Sequence, residues 1–188
     1  MLSDHVAAQR TTVHRMALPM MIVSDGSRGA QTFIEQVLTQ RTTDVHVIHA
    51  DTRSSAMSPE ERRAYDTDIP LSDPVAVADA EALMAARILA VVVEPTRFGL
   101  PSSVKGWIDR TLAPGVAFRL DERTNRMKPG LTHLTRLVMV EVGDGSGDSR
   151  GARRIVTRAV RVACRPTIRV RSFSHRRLTA ATTRLATW

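Results

Sequence analysis

The sequence holds a single cysteine, Cys164, which excludes an intramolecular disulfide and fits a reducing compartment, so the cytoplasm is the expected location. Its neighbours Val162 and Ala163 point to a buried structural thiol rather than a nucleophile. No apolar run approaches the roughly 20 residues that span a bilayer, so no membrane span is expected. Residues 1–16 carry Asp4, His5, Arg10, His14 and Arg15 and lack the apolar core of a secretory signal. They read as a polar lead-in. His133 and His175 stand alone, so spacing supports no serine–histidine–acid triad, and no Cys/His grouping suits zinc. His46 and His49 do not share a face of a regular strand. Asp144 and Asp148 flank a Gly/Ser loop without the closing glutamate of a calcium site. No metal is therefore expected. The chain shows no internal repeat and no second domain, and its 188 residues are enough for a real core.

Lysine is scarce too, with only Lys105 and Lys128, so the +8 net charge is an arginine charge. It is unevenly placed. Residues 149–188 hold eleven arginines and no acid, which leaves the first 148 residues at −3. Arg150, Arg154, Arg158, Arg161 and Arg165 recur three or four apart, which predicts one face of a helix, with Ala152, Ile155, Ala159 and Val162 opposite. Such a stripe is a solvated face or a surface for an anionic ligand or partner. No aromatic residue interleaves it, which argues against a nucleic-acid stacking platform.

The chain is organised around residues 86–118. Ile88 to Val93 is an uninterrupted β-branched and apolar run, the pattern of a central strand in a parallel sheet. Pro95 stops it, a loop of residues 96–100 follows, and Pro101 suits the first turn of a helix that buries Val104, Trp107, Ile108 and Leu112. Ala17 to Ser24 is a second buried strand, followed by the turn Asp25-Gly26-Ser27-Arg28-Gly29 and a helix over 31–40. A strand, a Gly/Ser turn and a helix make a generic phosphate-cradling unit. Asp44 to His49 is a further strand. Ser58-Pro59-Glu60-Glu61 is a capped helix start. A helix over 73–86, with Val75, Ala78, Ala82, Leu83 and Ala86 inward, leads into the central strand. Residues 119–130 are polar and turn-rich, 134–142 form a strand, 167–173 alternate as an edge strand, and 178–188 form a terminal helix. Five strands alternating with helices predict an α/β fold, a doubly wound five-stranded parallel sheet over residues 17–188, and they fit the order 2-1-3-4-5.

Gly99 to Phe118, reading GLPSSVKGWIDRTLAPGVAF, resembles the signature of the flavodoxin-like NAD(P)H:quinone reductases, G-[LV]-P-A-x-L-K-G-W-[IF]-[DE]-R-V-x-x-x-G-x-A-[FY]. The S-P-E-E-R-R-A-Y element resembles that family's S-x-E-E-R-x-x-Y insert, which lies near the dimer surface and substrate mouth. The resemblance implies a flavodoxin-like fold and a bound flavin, FMN or FAD. It also implies two-electron transfer from NAD(P)H to a quinone-like or other small aromatic acceptor, in a homodimer with its site at the interface. It assigns flavin contacts to three loops: Ser24, Gly26, Ser27, Gly29, Gln31 and Thr32; Pro95, Thr96, Arg97, Phe98 and Gly99; and Val142 with Gly143. Tyr65, Arg97, Glu141 and Asp144 are the candidate catalytic side chains. Arginines near the C-terminus are candidates for the 2′-phosphate of NADPH.

All three loops depart from the family pattern. Ser24 and Asp25 stand where the family has His-Pro. Pro95-Thr96-Arg97-Phe98-Gly99 is one residue shorter than P-T-W-W-F-G and trades two aromatics for one arginine. Val140-Glu141-Val142-Gly143 replaces T-T-x-G and removes both hydroxyls. Two readings stay open. One is a flavin oxidoreductase with an altered substrate pocket. The other is a flavin-free relative, either a non-redox enzyme on a small molecule or a regulatory or binding subunit.

Overall fold

A computed structural model describes residues 18–41, 44–53, 56–65 and 71–188. The expected lead-in, residues 1–16, lies outside them. Five strands build the main sheet: β1 (Met20–Ser24), β2 (Val45–His49), β3 (Ile88–Val93), β6 (Arg136–Glu141) and β7 (Arg169–Phe173). Between β3 and β6 in the chain, β4 (Phe118–Asp121) and β5 (Arg126–Pro129) form a separate antiparallel hairpin. The sheet order β2-β1-β3-β6-β7 is all parallel, which is the 2-1-3-4-5 order of a flavodoxin-like α/β fold. Every residue of β3 is buried, because helices cover both faces of a central parallel strand.

Alternation along the strands divides the core in two. Leu89, Val91, Val93, Leu137 and Met139 face one side, against α3 (Pro74–Ala85), α4 (Ser102–Thr111) and α5 (Ser149–Ala163). Ile88, Ala90, Val92, Val138 and Val140 face the other, against α1 (Arg28–Gln40) and α6 (Leu178–Ala186). The short α2 (Pro59–Arg63) is held by a complete capping box between Ser58 and Glu61, as its sequence announces.

Three expectations need correction. The inward side of α3 is Ala76, Asp79, Ala80 and Leu83, whereas Val75 and Ala78 are exposed. That helix is apolar nearly all round, so composition alone does not mark its outer face. On α5 the buried stripe is Ala152, Val156, Val160 and Ala163, and Val162 is 58% exposed. The sequence offers two apolar stripes there, and packing on β6 selects one of them. Residues 119–130 are not merely turns but contain the β4–β5 hairpin. Its loop is closed by Asp121, which accepts the N–H groups of Arg123 and Thr124, and Asn125 takes φ +50°. Leu120 and Met127 are exposed, so no inward face announces the strands.

Candidate active site: the crevice above β1, β3 and β6

In an open α/β sheet, ligands bind outside the carboxyl ends of the strands where the order reverses, here between β1 and β3. Three loops meet there: residues 25–27 after β1, 94–101 after β3 and 142–148 after β6. Their hydrogen bonds decide what the crevice can hold.

Asp25 dominates the first loop. One carboxylate oxygen accepts the N–H of Ser27 at 3.0 Å and the other accepts the N–H of Glu94 at 2.7 Å. A single side chain thus ties the β1 loop to the β3 loop across the switch point. Ser27 caps α1, its hydroxyl accepting the N–H of Ala30 at 3.3 Å, and the Gln31 amide donates to the Gly26 carbonyl at 2.9 Å. Ser24 is fully buried, and its hydroxyl pairs with His49 Nδ1 at 2.8 Å on neighbouring β2. Gly26 adopts φ +78°, and a Cβ there would lie 2.2 Å from the Asp51 carboxyl carbon, so a second carboxylate rests against this turn.

The β3 loop is closed on itself. Thr96 N–H donates to the Gly99 carbonyl at 2.8 Å and Gly99 N–H returns a bond to the Thr96 carbonyl at 3.0 Å. Phe98 N–H goes to the Thr96 hydroxyl at 3.3 Å. The Phe98 ring is 89% exposed and Arg97 is also in solvent. The β6 loop lies directly on this turn. Asp148 N–H donates to the Thr96 carbonyl at 2.8 Å, and a Cβ on Gly147 would stand 1.8 Å from the Pro95 carbonyl oxygen. Gly143 has φ +83°, and a Cβ there would meet the Glu94 carboxylate at 2.5 Å. Val142 is buried and bonds to Val93 through its N–H. Glu141 is buried on the strand face of Leu137 and Met139. Asp144 accepts from Ser146, whose hydroxyl and N–H hold its carboxyl below the usual carboxylate range. Tyr65 is exposed at the end of α2, and none of these hydrogen bonds involves it.

Of the expected site residues, Gly29, Thr32, Val142 and Gly143 come together with Arg28 in a groove of about 360 Å³ between α1 and α6. Three residues that sequence reasoning did not assign to the crevice, Asp51, Glu94 and Asp148, turn out to shape it. Asp51 and Glu94 carry a readable signal, since both follow strands that the 2-1-3 order makes neighbours of β1. Asp148 caps α5 by accepting the N–H of Gly151 at 2.8 Å. Among the described residues no cluster of His, Cys, Asp and Glu is arranged to hold a metal.

A flavin needs open donors for its phosphate, main-chain N–H groups toward its ring, and flat apolar surface beside that ring. Here the donors of Ser27, Ala30, Glu94, Phe98 and Gly99 are all bonded within the protein. Asp25 and Asp51 bring negative charge to the turn where a phosphate would sit, and Phe98 is exposed. Those five donors are therefore engaged within the protein rather than held open as in a flavin cradle.

The signature segment has a different task. The Trp107 indole donates to Asp79 at 3.0 Å, and Arg110 bonds both oxygens of Glu61 at 3.0 and 3.1 Å. Both side chains anchor α4 to neighbouring elements.

The family model described as flavodoxin-like fold matches residues 19–165. Among solved structures, the NAD(P)H:quinone oxidoreductase of Methanothermobacter marburgensis is similar at TM-score 0.62 and 15% identity, covering 91% of this chain and 96% of that one. An azoreductase from Bacillus anthracis is similar at TM-score 0.60 and 10% identity, covering 90% and 97%. An FMN-dependent NADH-azoreductase from the same organism, in complex with FMN, is similar at 0.55 and 10%, covering 90% and 96%. At these identities the likeness is one of fold. Among curated proteins none matches the sequence. No helix of the described residues is long and apolar enough to cross a membrane.

Proposed function

This chain belongs to the flavodoxin-like fold family, and within it we propose a flavin-free binding or regulatory protein, one domain over residues 17–188. The observation that carries this reading is Asp25, whose carboxylate takes up the Ser27 and Glu94 N–H groups across the switch point. An anion built into the protein occupies the donors that a bound phosphate or ring edge would use. The paired loops above β3 and β6 support the same reading, because the Thr96–Gly99 turn bonds to itself and Gly147 packs on the Pro95 carbonyl, which engages main-chain groups that a ring edge would use. The 360 Å³ groove beside Gly29 and Gly143 remains as a site of small-molecule size.

A second reading is favoured by the signature from Gly99 to Phe118 and by the FMN-bound azoreductase among the similar folds. It is an NAD(P)H-dependent flavin oxidoreductase, a cytoplasmic homodimer, passing two electrons to a quinone-like or other small aromatic acceptor. One experiment separates the two. The purified protein is examined for visible absorbance, titrated with FMN and FAD, and assayed for NADPH oxidation with menadione. The flavin-free reading expects a colourless protein, no quenching of flavin fluorescence and no NADPH oxidation above background. Stoichiometric flavin binding with menadione reduction would establish the oxidoreductase instead.

A further inference from the structure

The arginines of α5 raise a question that the crevice does not answer. Arg150, Arg153, Arg154, Arg158 and Arg161 line one groove of about 760 Å³ with Thr157, Val162 and Val170. All five arginines are exposed, and no ion pair among the described residues includes any of them. Spaced three and four apart, they repel one another along a helix about 22 Å long. Arg150 also sits in the first turn, where the helix dipole disfavours a cation. Among the described residues no acidic side chain pairs with them to offset these costs.

The groove runs beside an open edge. The sheet order ends at β7, whose second edge has no strand partner among the described residues. Val170 of β7 is half-buried on the α5 side and borders the groove, and Val162, 58% exposed, adds a second apolar spot. Strand alternation puts Arg169 and Arg171, both exposed, on the opposite face of β7. Both rows of side chains on an added strand would therefore meet arginine. Charge on an edge strand does block pairing between like copies. That accounts for Arg169 and Arg171, and it leaves the five on α5 unexplained.

We infer that the β7 edge and the α5 groove form a docking site for an extended acidic segment of a partner protein, which adds to the sheet as a sixth strand. Main-chain hydrogen bonds would come from the β7 edge, an apolar side chain would rest on Val170, and glutamates or aspartates on both faces would pair with the arginines. An open sheet edge offers main-chain pairing to a peptide and none to a nucleic-acid backbone, and the groove has no aromatic ring for a base to stack on. The inference is independent of whether the crevice takes a flavin.

Fluorescence anisotropy on the full chain tests it. The probe is a labelled peptide of about eight residues, glutamates with a central valine. Its comparators are the same peptide with alternate N-methylated amides, a lysine counterpart and an oligothymidine of equal charge. Binding of the glutamate peptide is expected, weakened about tenfold or more by N-methylation and by the exposed double substitution R154E/R158E. The lysine peptide is not expected to bind. Binding that N-methylation leaves unchanged would overturn strand addition, and oligothymidine binding as tightly would reassign the groove to nucleic acid. Failure of the glutamate peptide to bind at low salt would overturn the site altogether.

Discussion

Arg110 and Glu61, far apart in sequence, meet as a buried ion pair in which one guanidinium nitrogen contacts both carboxylate oxygens at 3.0 and 3.1 Å. The same nitrogen reaches Asp73 at 3.1 Å, and Glu61 also accepts main-chain N–H groups from Ser58, Ser72 and Asp73. Glu61 therefore joins α2, the start of α3 and α4 at one point. A charge this buried is tolerable only because every lone pair is occupied.

Removing one member takes away the main counter-charge of the other, leaving Glu61 with its main-chain N–H donors or Arg110 with Asp73. Glu61→Ala or Arg110→Met is expected to cost about 3–5 kcal/mol, read as a lower urea midpoint with the folded baseline retained. Replacing both by apolar residues of similar volume should recover the part of that loss due to the lone charge, while the Ser58, Ser72 and Asp73 N–H groups stay without their acceptor. A double variant no more stable than the singles would show that the main-chain bonds to Glu61, rather than the charge pairing, carry the stability.

The same carboxylate gives the protein an acid-sensitive joint. Burial opposes ionisation of Glu61, but the three main-chain N–H groups and Arg110 outweigh it, and its pKa falls from 4.5 to about 2. A depressed folded-state pKa means the contribution is complete above 4.5 and is lost as the pH falls toward 2. Urea midpoints measured between pH 5 and 2 should drop across that window. In Glu61→Gln the drop should be shallower, and an equal slope in both proteins would exclude this residue as its source.

Cys164 is buried at 3% exposure, and burial pushes its thiol up to about 11. The native protein should resist Ellman's reagent near neutral pH and release one equivalent on unfolding in urea. Rapid labelling of the folded protein would contradict the burial.

Asp25 is the side chain on which the functional reading turns. Asp25→Ala frees the Ser27 and Glu94 N–H groups, and water can reach at least the second, so the stability cost is expected to be about 1 kcal/mol. Affinity of the crevice for FMN should rise relative to the parent, and further in the D25A/D51A variant. Fluorescence quenching titrations check this, and unchanged affinity in both would mean that loop packing rather than charge excludes the flavin.

Gly147 tests that packing directly. A methyl group there would press on the Pro95 carbonyl, so Gly147→Ala should destabilise by about 1–3 kcal/mol, with hydrogen exchange faster in the loops after β3 and β6. A neutral effect would show that the two loops do not rest on each other.

The five strands of the main sheet and the arginine face were legible from residue types, and the order of the sheet from the family resemblance. Burial on two sides demands the unbroken apolar run of Ile88–Val93, and local rules govern caps such as Ser58-Pro59-Glu60-Glu61. The signature from Gly99 to Phe118 led to the family, yet its Trp107 and Arg110 serve α4's anchorage to Asp79 and Glu61. That assignment was invisible because the partners lie 28 and 49 residues away. Which stripe of α3 or α5 faces inward was equally closed to the sequence, since each helix offers more than one apolar side. Only the tertiary structure decided the character of the crevice. A carboxylate at position 25 acts as a ligand, a catalyst or a tie according to which N–H groups converge on it, and that convergence exists only once β1 and β3 lie side by side.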